Sequence, residues 1–223
     1  MRSFHKLIGL TLIGLCSGCS QDTTDQVPAS DKSLATEAPP PPRDIAGISI
    51  GHPANLPECE KEKTYGMVSY KTFPSNVPCW SYTLSDRGKI SLAKNPEMPK
   101  DGLLQASLGS KNVPDGVYDM AEITVIKGRI EEIKLTTFGQ SHQSNILRLL
   151  KDKWGEPTIN NMQHLQNGFG AKFQGVEAQW LFSDFTVAFF GILTKPDDGL
   201  IAVRSPVAAA KEKEQSQGRA KSF

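Results

Sequence analysis

Ile123-Thr124-Val125-Ile126-Lys127-Gly128-Arg129-Ile130 decides the fold, because a strand, a turn and a returning strand are written in eight residues. β-Branched residues fill Ile123 to Ile126, and Lys127-Gly128 is a two-residue turn in which glycine supplies the positive φ. Ile130 to Phe138 reads as the second strand, and so short a connection demands antiparallel pairing. Ser141 then stands where it can cap a helix over about 141–154, whose Ile146, Leu149, Leu150 and Trp154 share one face. Gly155 suits the left-handed position after that helix, Lys151 and Lys153 sit in its last turn, and Pro157 forbids continuation.

C-terminal to this unit, residues 158–170 are polar and rich in glycine and asparagine, with Asn167-Gly168 a turn. Val176, Ala178, Trp180 and Phe182 alternate, Ser183-Asp184 turns, and Phe185, Val187 and Phe189 alternate again. Pro196-Asp197-Asp198-Gly199 makes a further turn before a strand over Leu200 to Val203. N-terminal to the hairpin, Ile48 to Ile50, Val68 to Tyr70 and Trp80 to Leu84 read as strands and Ile90 to Leu92 as a weaker one. Leu56 to Lys61 reads as a short helix, and Lys94 to Val113 as mostly turn. Strands this close together pair antiparallel, so the expected class is α+β: hairpins and a meander, with one main helix on one face of the sheet.

The 223 residues suit one domain with tails, and a formal charge of +1 offers no bulk attraction for nucleic acid. Residues 1–18 have the layout of a signal peptide: basic Arg2, His5 and Lys6, then an apolar run from Leu7 to Cys16. That run is shorter than the ~20 residues a bilayer span needs. It ends in Leu15-Cys16-Ser17-Gly18-Cys19-Ser20, which resembles the lipobox of bacterial lipoproteins, with Gly18 and Cys19 matching and Cys16 standing where leucine is usual. The alternatives are lipidation of Cys16, which requires cleavage after bulky Leu15, and ordinary cleavage after Gly18, which leaves Cys19 an unpaired thiol. The resemblance implies a mature chain starting at acylated Cys19 and anchored in a lipid bilayer. At about 0.8 kcal/mol per buried methylene, three chains, palmitate among them, hold firmly. Ser20 after the cysteine implies the outer membrane, with the domain in the periplasm.

Residues 19–44 then form a tether whose Pro39 to Pro42 favours an extended rod. The domain is expected over 45–206 and a charged tail, frayed helix or disordered, over 207–223. In an exported chain the remaining cysteines, Cys59 and Cys79, suggest a disulfide worth roughly 3 kcal/mol, the other reading being two separate buried thiols. The order helix, Gly155-x-Pro157 and a meander containing Trp180 is similar to the SmpA-type assembly lipoproteins and to β-lactamase-inhibitory protein, over Asn145 to Val203. That likeness implies a small envelope module and nothing about chemistry.

Catalytic and metal-binding patterns are not found, and no cofactor is implied. There is no Gly-x-Ser-x-Gly, no phosphate-binding glycine loop and no His-Glu-x-x-His. Ser141-His142 are sequence neighbours, which rarely gives a nucleophile and its base the right geometry. Glu131-Glu132 point to opposite faces of a strand and read as a solvated hairpin. Asp197-Asp198 alone lack the oxygens that calcium needs. Trp180, Phe182, Phe185, Phe189 and Phe190 read as core and sheet surface before they read as a ligand platform, yet they exceed what one sheet face requires, and whichever of Trp180, Phe185, Phe189 and Phe190 is exposed would mark a partner site. The expected function is therefore the binding of another envelope component, a protein. The rivals are an envelope hydrolase, which would gather residues such as His142, His164 and Asp184, and a passive spacer.

Overall fold

The computed structural model describes residues 39–71, 76–90, 96–109, 111–166 and 168–220. The signal region, Cys19 and the tether up to residue 38 lie outside them, as do Asn167 and most of the weak strand at Ile90 to Leu92. In chain order the strands are β1 (Asp44–Ile45), β2 (Ile48–Ser49), β3 (Lys61–Thr64), β4 (Met67–Tyr70), β5 (Cys79–Tyr82), β6 (Gly102–Ser107), β7 (Val117–Ile126) and β8 (Arg129–Thr137). Helix α1 (Gln143–Trp154) follows, then β9 (Ile159–Gln166), β10 (Lys172–Leu181), β11 (Thr186–Phe190), β12 (Gly199–Arg204) and helix α2 (Pro206–Ala220). Residues 40–223 form one compact unit.

β5 to β12 make one eight-stranded antiparallel sheet in the order β5-β6-β7-β8-β12-β11-β10-β9, with β1-β2 and β3-β4 as separate small hairpins. Register explains the core. Leu104, Ile123, Ile133, Val203, Val187 and Trp180 stand opposite one another across six strands, and none is more than 2% exposed. Directly opposed residues in an antiparallel sheet share a face, so this row defines the core face. α1 lies against it through Ile146, Leu150 and Trp154, all buried; each contributes roughly 2 kcal/mol when fully withdrawn from water.

The β7–β8 hairpin forms as expected, with Lys127 at φ 50° and Gly128 at φ 74°. Gly155 closes α1 at φ 77°, its N–H donating to Lys151 O. Ser141 does not cap the helix. A 3-10 turn over Gly139–Ser141 runs straight into α1 and His142 takes the cap position with no side-chain bond. Gln143 ties the helix start instead: its amide donates to Gln174 O at 2.8 Å and accepts from Val176 N at 2.9 Å. Gly139, at φ 60°, is required because a Cβ there would lie 2.1 Å from Pro196 O.

Four further expectations are corrected. Leu56 to Lys61 is not a helix: Trp80 N donates to Pro57 O, Cys59 N donates to Trp80 O, and six residues are too few to nucleate a helix against such a ladder. Within Lys94 to Val113, β6 pairs between β5 and β7, its alternation carried only by Leu104 and Ala106. The polar stretch after Pro157 is strand β9, held by eight register pairs with β10 rather than by burial. The helices occupy both faces: Glu212 of α2 takes Arg204 on the face away from α1.

α2 is seated, not frayed, at its start. Pro206 occupies the first helical position and Ser205 Oγ accepts from Ala208 N at 3.2 Å, while Ala208 is buried. Where the chain enters the unit, Trp154 Nε1 donates to Pro42 O at 2.8 Å, Lys153 pairs with Asp44 at 3.0 Å, and Arg43 pairs with Asp184. These bonds tie the incoming chain to the end of α1 and to the turn between β10 and β11.

Candidate binding face

Cys59 and Cys79 form a disulfide, with Cα atoms 4.9 Å apart. It joins the segment before β3 to edge strand β5, where the Glu58–Trp80 bridge already runs parallel to the strand. The β3–β4 hairpin is therefore held beside the sheet. Its two-residue turn is Tyr65-Gly66, both at positive φ. A polar lock lies behind it: Tyr70 Oη donates to Glu58 Oε1 at 2.9 Å and Lys61 Nζ donates to Glu58 Oε2 at 2.5 Å. Burial, and then the Glu58 carboxylate that takes its hydrogen bond, push the Tyr70 phenol well above its ordinary value.

Between hairpin and sheet runs a groove of about 690 Å³, lined by Tyr65, Met67, Tyr70, Tyr82, Leu84, Ile90, Gln105 and Met120 among others. Tyr65 is 98% exposed, Met67 71%, Leu84 65% and Met120 36%. Large apolar side chains standing together in water, around a concavity, mark a contact surface more often than scattered ones do. Met120 also borders a second depression of about 460 Å³ with Tyr118, Glu122, Lys134 and Leu200, so apolar and polar groups continue across the face away from α1.

Of the four aromatic residues that would mark a partner site if exposed, Trp180, Phe185 and Phe189 lie in the core, none more than 1% exposed. Val187 and Phe189 share the core face by alternation, and Trp180 gives its N–H to Gly155 O at 2.8 Å. Phe190 alone turns to the other face, opposite Leu200 and Glu177, where it is half-buried. The groove residues had one signal in the sequence, the glycine after Tyr65 that closes a two-residue turn.

The residues of the hydrolase alternative are not gathered. His142 rests on Gly116 and Phe138, its ring centre 5.4 Å from that of Phe138. His164 lines a separate depression with Gln140, Lys172 and Phe173. It stands opposite Gln174, while Asp184 lies beyond Leu181 at the far end of β10; at ~3.4 Å per residue that is roughly 24 Å along the strand. Ser141 Oγ donates to Phe138 O at 3.0 Å, which makes it the acceptor for His142 Nδ1–H at 2.8 Å. The imidazole nitrogen facing the hydroxyl therefore carries a proton and cannot receive one.

Glu131 and Glu132 point to opposite faces, but neither is solvated; they are 4% and 8% exposed. Glu132 accepts from Arg204 Nε and Nη2 at 2.8 and 2.6 Å, from Thr124 Oγ1 at 3.2 Å, and pairs with Lys134 at 3.2 Å. Burial raises its pKa, yet Arg204 and Lys134 outweigh that and hold the carboxyl below its usual range. Among the described residues no group of three His, Cys, Asp or Glu is placed to hold a metal, and no helix is long and apolar enough to cross a membrane.

No protein family, no curated protein and no solved structure matches this chain.

Proposed function

We propose that this chain is a bacterial envelope lipoprotein of the α+β class, anchored through acylated Cys19 in the outer membrane with its domain in the periplasm. It works by binding another envelope protein in the groove between the β3–β4 hairpin and the sheet. One observation carries the reading: Tyr65, Met67, Leu84 and Met120 stand exposed around a single groove, whose hairpin wall is stapled by Cys59–Cys79. A wall held in place loses little freedom on binding, and large side chains on it supply most of the affinity. The separation of His142, His164 and Asp184 supports binding over hydrolysis.

The test is photo-crosslinking in intact envelopes with a benzophenone amino acid in place of Met67, Met120 or Leu181. Met67 and Met120 are expected to capture the same partner, and Leu181, outside the groove, is not. Met67→Asp with Met120→Asp should weaken that capture by about tenfold or more. Equal crosslinking from Leu181, or full capture by the double variant, would overturn the reading.

A further inference from the structure

The two edges of the eight-stranded sheet are treated in opposite ways. β5 is closed by the Glu58–Trp80 bridge, by bonds from Pro57 and Cys59, and by the disulfide. Among the described residues β9 has a strand partner on one side only. Its eight residues, Ile-Asn-Asn-Met-Gln-His-Leu-Gln, contain no Asp, Glu, Lys, Arg or Pro, and all but half-buried Leu165 are exposed. Its register with β10 runs through eight successive pairs with no bulge. Exposed edges are normally blunted by charge, proline, bulges or shortness, and β9 has none of these devices. Every second residue of such an edge turns its N–H and C=O outward, ready to extend the ladder.

We infer that β9 is a pairing edge whose partner is β9 of a second copy of this chain, joined antiparallel about a two-fold axis at Gln163. Three features favour a second copy. Identical uncharged strands meet without like-charge repulsion, which would otherwise cost most where residues are directly opposed. An isologous contact closes after two copies and leaves the stapled β5 edges at the outside. The register about Gln163 also matches side chains of like character at its centre and at Asn160 and Gln166, though Asn161 comes opposite Leu165. Asn160 comes opposite Gln166, amide to amide, and Gln163 meets its own copy. On the α1 side, Met162 comes opposite His164, so two methionines, each 53% exposed in the single chain, cluster with two imidazoles across the axis. The result is a continuous sixteen-stranded sheet with both α1 helices on the same side.

The experiment is sedimentation equilibrium on the full chain in detergent over roughly 1–200 µM, the range in which a modest interface shows its equilibrium, with amide hydrogen exchange at both ends of that range. A monomer–dimer equilibrium is expected, with β9 amides protected only where the dimer is populated. Met162→Lys with His164→Lys sets four cations around the axis and should weaken the dimer by at least about tenfold. Met67→Lys, in the groove, should leave it unchanged. A Gln163→Cys chain should form an intermolecular disulfide on mild oxidation. A chain monomeric throughout, or a dimer indifferent to the β9 lysines, overturns the inference. So does a monomer whose β9 amides become protected only on adding an envelope extract, which would assign the edge to a foreign strand. The groove reading stands or falls separately, through Met67.

Discussion

Trp154 and Trp180 meet with ring centres 6.2 Å apart, each donating its indole N–H to a backbone carbonyl, Trp154 to Pro42 and Trp180 to Gly155. The pair joins helix, sheet and incoming chain at one point. Each ring buries its area without stranding its N–H, which makes large tryptophans tolerable inside a core.

Truncating this contact should be costly. Trp180→Ala is expected to lower stability by roughly 3–5 kcal/mol, the range for an aromatic removed from a core. Phe190→Ala, half-buried on the other face, should cost about 1 kcal/mol or less. Urea denaturation followed by far-UV dichroism checks both, and equal losses would contradict the placement of Phe190.

Opening the staple should loosen the hairpin more than the sheet. Cys59→Ser with Cys79→Ser closes no 20-residue loop in the unfolded chain and should lower stability by about 3 kcal/mol. Hydrogen exchange should then speed up in β3 and β4 well before β7 and β8. Alkylation of envelope protein without reduction should label neither cysteine.

Acid should remove the Glu132 contribution. Its folded pKa is depressed, so the stabilisation is fully present above the unfolded value of about 4.3 and is lost as pH falls through the lower folded value. Glu132→Gln should cost about 2 kcal/mol at pH 7, by leaving Arg204 with Glu212 alone as its charged acceptor. The gap between variant and wild type should narrow as pH falls below about 4.3 and close only below the depressed folded value, seen as converging melting temperatures. A gap that persists there would point to packing instead of charge.

The anchor is tested at Cys19. Cys19→Ala should block acylation and leave uncleaved precursor, and mass spectrometry of the wild type should find the acylated cysteine at the mature N-terminus. An unmodified N-terminus there would remove the lipoprotein reading. His142→Ala and His164→Ala should leave the cellular phenotype unchanged, because the two rings are not gathered with Asp184 and the hydroxyl beside His142 is already spent on Phe138 O.

Much of the fold was legible where chemistry is local. Lys127-Gly128, Gly155 with Pro157, and Pro196 to Gly199 mark turns that hold wherever they occur, so β7, β8, α1 and β10 to β12 could be read from short windows. β9 could not, because an edge strand exposed on both faces has no apolar alternation; only its bonds to β10 make it a strand. β6 was hidden by alternation that rests on Leu104 and small Ala106. Lys61 to Thr64 lacked any β signal, and pairing with β4 overrode that. The candidate site was the least visible part, since Tyr65, Met67 and Met120 look like core residues until tertiary structure leaves them outside. Trp180, Phe185 and Phe189 lie in the core, the first reading of their alternation, and only Phe190 turns away from it.

The attachment at Pro42 also sets how the domain bears load. A pull from the N-terminal side meets the Trp154–Pro42 hydrogen bond and the Lys153–Asp44 and Arg43–Asp184 pairs before it reaches the eight-stranded ladder. Those three side-chain contacts act as a mechanical fuse. β1 and β2, whose Ile45 and Ile48 are buried in the core, are drawn out next, and the backbone bonds of Gly51, His52 and Ala54 to the β7–β8 hairpin take the load after them. Among the described residues, a pull on the N-terminal side thus meets these contacts before the strands that form the groove.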